Sequence, residues 1–163
     1  MSKTYSQNVE EIRKCFPTRS KALRFIAALR WEMNHPRFNN EHFISNSYCP
    51  KGCLVYRGDM IRKEKRYYCK RHGLLFSPLY GTFLKETRLD LFVWFTFLLI
   101  IKKRKEIPSV RTLAKDLSVS GKTAHGMIKK MRNCTQSDSI LIDKIQGHIK
   151  ENYTYWKNWG NNI

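Results

Sequence analysis

At 163 residues the chain has room for one ordinary domain or a few very small ones, and its 31 lysines and arginines against 13 acidic residues leave a formal charge of +18 and a pI near 10.0. An excess of that size drives a compact chain apart unless a polyanion offsets it, which makes nucleic acid the first class of partner and an anionic membrane surface the second. The longest apolar run, LFVWFTFLLII at 91–101, is about half the ~20 residues that cross a bilayer and ends in a run of cations, so a buried helix is expected there and no membrane partner.

The opening MSKTYSQNVEE lacks a basic start followed by an apolar stretch, and no secretory signal is expected. The five cysteines (15, 49, 53, 69 and 134) are then expected in the reducing cytoplasm, where metal binding is a better default than disulfides. Residues 18–31 place Leu23, Ile26, Ala27 and Arg30 or Trp31 at helical spacing behind a Thr18 or Ser20 cap. An Asn-rich stretch with Pro36 follows and reads as a loop. Together these make 1–45 an N-terminal helical segment.

From Tyr48 the pattern changes to short β-like pieces at 54–57, 65–68 and 74–76, too short to bury a core unaided. Cys49 and Cys53 form one close pair; fifteen residues separate them from Cys69, with His72 close behind. Two ligand pairs divided by a dozen or more residues is the spacing of a zinc ribbon, each pair on a tight turn and a hairpin bringing the pairs together. Cys49, Cys53, Cys69 and His72 are therefore the expected ligands of a structural Zn2+ in a ribbon at 46–84. A segment this small and charged needs such a staple, and four protein ligands leave no open position for catalytic water. The first pair is spaced by three residues, where two are commoner, and Gly52 is placed to absorb the extra one. His35 or His42 remains an alternative to His72, and Cys15 and Cys134 read as core or surface residues.

Helical periodicity returns over 85–132. In VRTLAKDLSVSGKTAHGMIKKMR, Leu113, Ala114 and Leu117 form one inner face, Val119 fills the turn, and Ala124, Met127 and Ile128 form the next. That is the pattern of a helix-turn-helix, although a hairpin used only for packing has the same pattern. Ser118 stands where glycine is common. Such a motif sets the start of its second helix in the major groove, so Ser120, Lys122, Thr123 and His125 are the expected base-reading residues, with Gly121 and Gly126 keeping that face low. Lys102, Lys103, Arg104, Arg111, Lys115, Lys129, Lys130 and Arg132 are expected to meet phosphates. The run 91–101 is expected as the first helix of a trihelical bundle.

Beyond Cys134, TQSD reads as a capping box, and Leu141, Ile142, Ile145 and Ile149 make the apolar stripe of a final helix within 133–163. That helix, with Tyr153, Tyr155, Trp156 and Trp159 after it, either packs on its own bundle or meets a second copy or another protein. The expected fold class is thus mainly α with a small β part, a zinc ribbon followed by a trihelical helix-turn-helix domain.

The order of CFPTRSKALRFIAALRW, YCPKGC, YYCKRHGLLFSPLYGTFL and LAKDLSVSGKTAHGMIKKMR resembles the N-terminal half of insertion-sequence transposases that join a zinc ribbon and a helix-turn-helix to an acidic-triad catalytic domain. The likeness covers about residues 16–132 and implies recognition of transposon-end DNA or a derived site. His72 stands where that family usually has cysteine. The 31 residues after Arg132 are too few for the catalytic domain, and Asp138, Asp143 and Glu151 on one helix cannot converge on two metal ions. A non-enzymatic double-stranded DNA-binding protein is expected, acting in transcriptional regulation or DNA targeting. Alternatives are the DNA-recognition subunit of a transposase or nuclease with a separate catalytic chain, and an RNA-binding zinc protein.

Overall fold

The computed structural model describes residues 5–27, 29–30, 47–51, 54–55, 60–61 and 66–151. Over these the chain is mainly helical with a small antiparallel β part. The helices are α1 (Tyr5–Cys15), α2 (Arg19–Ala27), α3 (Leu91–Arg104), α4 (Val110–Leu117), α5 (Gly121–Arg132) and α6 (Gln136–Glu151), and the strands are β1 (Ser47–Tyr48), β2 (Leu54–Val55), β3 (Met60–Ile61), β4 (Arg66–Cys69) and β5 (Leu74–Phe76). The chain divides into two compact units, Met1–Arg19 with Thr87–Ile163, and Ser20–Glu86. The four segments marked out from the sequence are grouped differently here, because α1 joins the C-terminal helices.

In the helical unit, α3 is the centre. Val93, Trp94, Phe95, Thr96, Phe97 and Leu98 are buried in succession, and a helix apolar on every side has to be covered on every side. Helices α1, α4 and α6 do this, while α5 packs on α4. Three helices would have left part of α3 in water, so the expected trihelical bundle is here a five-helix unit. Phe16 meets Phe95 edge-on at 5.0 Å between ring centres, and the buried Gln146 amide donates to the Leu98 carbonyl at 2.8 Å. Trp94 satisfies its indole N–H on Thr87 Oγ1 at 3.0 Å, as a buried indole must. No helix among the described residues is long and apolar enough to cross a membrane.

The start of α6 is the capping box read from the sequence. Thr135 N–H donates to Asp138 Oδ2 at 3.0 Å, and Asp138 N–H donates back to Thr135 Oγ1 at 3.2 Å. Two orphan donors are thereby satisfied. Leu141, Ile142, Ile145 and Ile149 are all buried, so the stripe is used inside the unit.

In the second unit, α2 buries Leu23, Ile26 and Ala27 as expected, together with Ala22 and Phe25. Trp31 lies outside the described residues. Strands β1 and β2 pair antiparallel, and β3-β4-β5 form a second antiparallel sheet. Tyr67 sits opposite Phe76 across β4 and β5, their rings stacked at 5.8 Å. With Cys49, Cys69 and Leu74 they make a small core. The β-like pieces of the sequence overlap β2, β4 and β5; β1 is the additional partner of β2 and β3 that of β4.

Candidate metal centre and basic helix face

The β4–β5 hairpin places two of the expected ligands. Cys69 ends β4, and the turn back to Leu74 is completed by Gly73 at φ +59°, a left-handed conformation that glycine adopts without a Cβ clash. That curl returns His72 toward the strand it left. Nδ1 of His72 lies 3.5 Å from Cys69 Sγ and 3.5 Å from Cys49 Sγ, and the three ligand atoms lie within 4.8 Å of one another. Both cysteines are buried, at 3% exposure each.

Nδ1 carries either one proton or one lone pair, so as hydrogen bonds two equal contacts to separate sulfurs would have to share it. A metal between them explains the spacing: Zn–S and Zn–N bonds of about 2.3 and 2.0–2.1 Å at a tetrahedral angle put S and N about 3.6 Å apart. The Lys51 N–H also donates to Cys49 Sγ at 3.3 Å, the outer hydrogen bond that a metal-bound thiolate accepts. Cys49, Cys69 and His72 therefore form a group able to hold a metal ion. Cys53 and Gly52, with His35 and His42, lie outside the described residues.

Cys15 and Cys134 are not part of this group. Cys15 is buried on α1, its thiol donating to the Glu11 carbonyl at 3.4 Å. Cys134 donates to the Lys130 carbonyl at 3.4 Å, and burial, aided by the negative charge of Asp138, pushes its thiol up to about 11.

The second site is built by α4 and α5. Leu113 and Leu117 are buried on α4, and Ala124, Met127 and Ile128 on α5. Ser118 takes φ 53°, ψ 44° and ends α4, and the Val119 N–H donates to the Ala114 carbonyl at 3.0 Å. This is the left-handed turn for which glycine is common, made here by serine. Ser120 then opens α5: its Oγ accepts from the Thr123 N–H at 3.1 Å and donates to Thr123 Oγ1 at 2.9 Å. The side-chain oxygens of Ser120 and Thr123, two of the four expected base readers, are thus engaged in holding the helix start.

On the outward side of α5, Lys122, His125, Gly126, Lys129 and Arg132 are all exposed, and their three- and four-residue spacing puts them on one face. No acidic residue occurs in α5. Of the other expected phosphate ligands, Lys102, Lys103, Arg111 and Lys115 are exposed. Lys130 is half-buried, its ammonium 5.9 Å from the centre of the Trp94 ring. Arg104 is drawn inward by Asp116 at 2.8 Å, with 24% and 15% of the two side chains exposed, so its charge is already matched within the helical unit. No spacing rule signals that pair, because its members are on different helices.

No family model, curated protein or solved structure matches this chain.

Proposed function

We propose that the chain is a non-enzymatic zinc protein that binds double-stranded DNA, with α4 and α5 acting as a helix-turn-helix and residues 46–84 as a structural zinc ribbon. The observation that carries the reading is the outward face of α5, where Lys122, His125, Lys129 and Arg132 surround Gly126 with no acid among them. A solvated helix face ordinarily mixes both signs of charge, and a face of one sign is suited to a polyanion. A helix displayed beyond a three-residue turn fits the major groove. Lys122 and His125 are the base readers in this reading; Lys129 and Arg132, with Arg111 and Lys115 of α4, bind phosphates. The order of sequence features resembles the N-terminal half of insertion-sequence transposases, and with it we read descent from such a recognition region and use in transcriptional regulation or DNA targeting.

Zinc supplies folding energy to the ribbon and performs no chemistry on a substrate. Cys49, Cys69 and His72 would hold it, with Cys53 as the fourth ligand. Of the acids Asp138, Asp143 and Glu151, the first two do not share surroundings that support catalysis: Asp138 is buried in the capping box and Asp143, five residues on, is exposed, while the Glu151 side chain lies outside the described residues. A competition gel shift tests the reading. Duplex DNA is expected to outcompete duplex RNA and single strands; RNA binding as tight or tighter favours an RNA-binding zinc protein instead. Strand cleavage by the pure protein with Mg2+ or Mn2+, abolished by Asp143→Ala, would refute the non-enzymatic role.

A further inference from the structure

The basic face of α5 does not account for all of the chain's positive charge. Residues 20–86 hold 13 lysines and arginines against 5 acidic residues, while the rest of the chain holds 18 against 8. The smaller unit thus carries an excess of eight and the larger an excess of ten. A unit that served only as a scaffold would not need that charge, since self-repulsion destabilises it.

The structure shows where part of the excess is concentrated. Lys51 lies two residues after Cys49, its backbone N–H held on the Cys49 sulfur, and Arg71 lies between Cys69 and His72. Because the three ligand atoms lie within 4.8 Å of one another, the turns that carry Lys51 and Arg71 converge on a single point. Both side chains are exposed, as are Lys70 and, on the β4 strand beside them, Tyr68 at 38%. Folding therefore brings the two cationic turns to one centre, with their side chains exposed. Such an arrangement costs stability in isolation and gains it from an anion.

We propose that the converging metal turns, through Lys51 and Arg71, are a second contact to the phosphate backbone of the same duplex DNA. The proposal rests on the duplex-binding reading of α5. The ribbon then adds affinity and salt dependence without reading bases, and α5 supplies discrimination between sequences.

Its test compares the salt dependence of duplex affinity for three full-length proteins: the parent, Lys51→Gln/Arg71→Gln, and Lys122→Ala/Lys129→Ala. Each phosphate contact contributes a slope of about 0.9 in log K against log[KCl]. The ribbon variant is expected to lower the slope by about 2 while keeping its zinc content and melting temperature, because both side chains are on the surface. A ribbon variant with the parental slope, beside an α5 variant with a reduced one, overturns the ribbon contact and leaves the function of α5 standing. The converse result overturns the role of α5 and keeps the ribbon contact. A parent with no salt-dependent duplex binding overturns both.

Discussion

Arg104 at the end of α3 donates to Asp116 of α4 at 2.8 Å, a partly buried pair twelve residues apart that closes the central helix onto the first helix of the α4–α5 hairpin. Removing one partner strands the other's charge in a place where water reaches it poorly. Asp116→Ala is expected to lower stability by about 1–3 kcal/mol, less than a fully buried pair would cost, because about a quarter of Arg104 is still hydrated. Urea unfolding measures this. Arg104→Gln is expected to leave the salt slope of DNA binding at the parental value, whereas Lys129→Gln reduces it by about 0.9. A loss of slope from Arg104→Gln would return that residue to the phosphate-binding set.

Gly126 gives a prediction in which stability and binding move in opposite directions. A Cβ built there meets nothing within 4 Å, so the protein's own packing does not require glycine inside α5. Gly126→Ala should stabilise the fold by up to about 1 kcal/mol through helix propensity. If the duplex approaches this face closely, the added methyl should weaken specific binding. Improved melting with unchanged binding would mean that nothing approaches Gly126 closely.

Metal removal should affect the two units unequally. Within the Ser20–Glu86 unit the strands have only the small core of Cys49, Tyr67, Cys69 and Phe76, so a bound metal would supply much of their folding energy; the helical unit has its own core around α3. A strong chelator, or Cys69→Ser, is expected to abolish hydrogen-exchange protection in β4 and β5 while α3 and α6 remain protected. Protein purified without chelator should contain about one zinc per chain. Less than half an equivalent would refute the centre.

Much of this was legible in the sequence, and the misses have physical causes. The cores of α4, α5 and α6 were readable because apolar residues recur at helical spacing, and the α6 capping box because its residues are neighbours. Helix α1 falls within the expected N-terminal helical segment at 1–45 but has no bounds of its own in that reading; of its described side chains Ile12 and Cys15 are buried, and Cys15 carries a weak apolar signal. The five-helix unit was missed, since α3 shows that it must be buried without showing by what. Of the four ligands expected from spacing, Cys49, Cys69 and His72 come together in the structure and Cys53 lies outside the described residues, while the placement of Nδ1 depends on the turn at Gly73. The engagement of Arg104 by Asp116 is a tertiary contact with no local sequence signal.

The Cys134 thiol, pushed up to about 11 by burial and by Asp138, should hold its proton throughout the neutral range. Since the thiolate is the nucleophile, alkylation of Cys134 at pH 8 is expected to be slower in the native protein than in urea. The native rate should rise only as the pH approaches 11. Mass spectrometry of the labelled peptide reads both rates, and equal rates at pH 8 would contradict the burial argument.

The central claim is that the outward face of α5 meets duplex DNA, and contact itself tests it most directly. A photoreactive phenylalanine analogue at position 125, illuminated with duplex DNA, is expected to crosslink to it. The same probe at 140, where Ile140 is 54% exposed on α6, is expected to crosslink weakly or not at all. Equal yields from the two positions, or none from 125 while the protein remains bound to the duplex, would contradict the account.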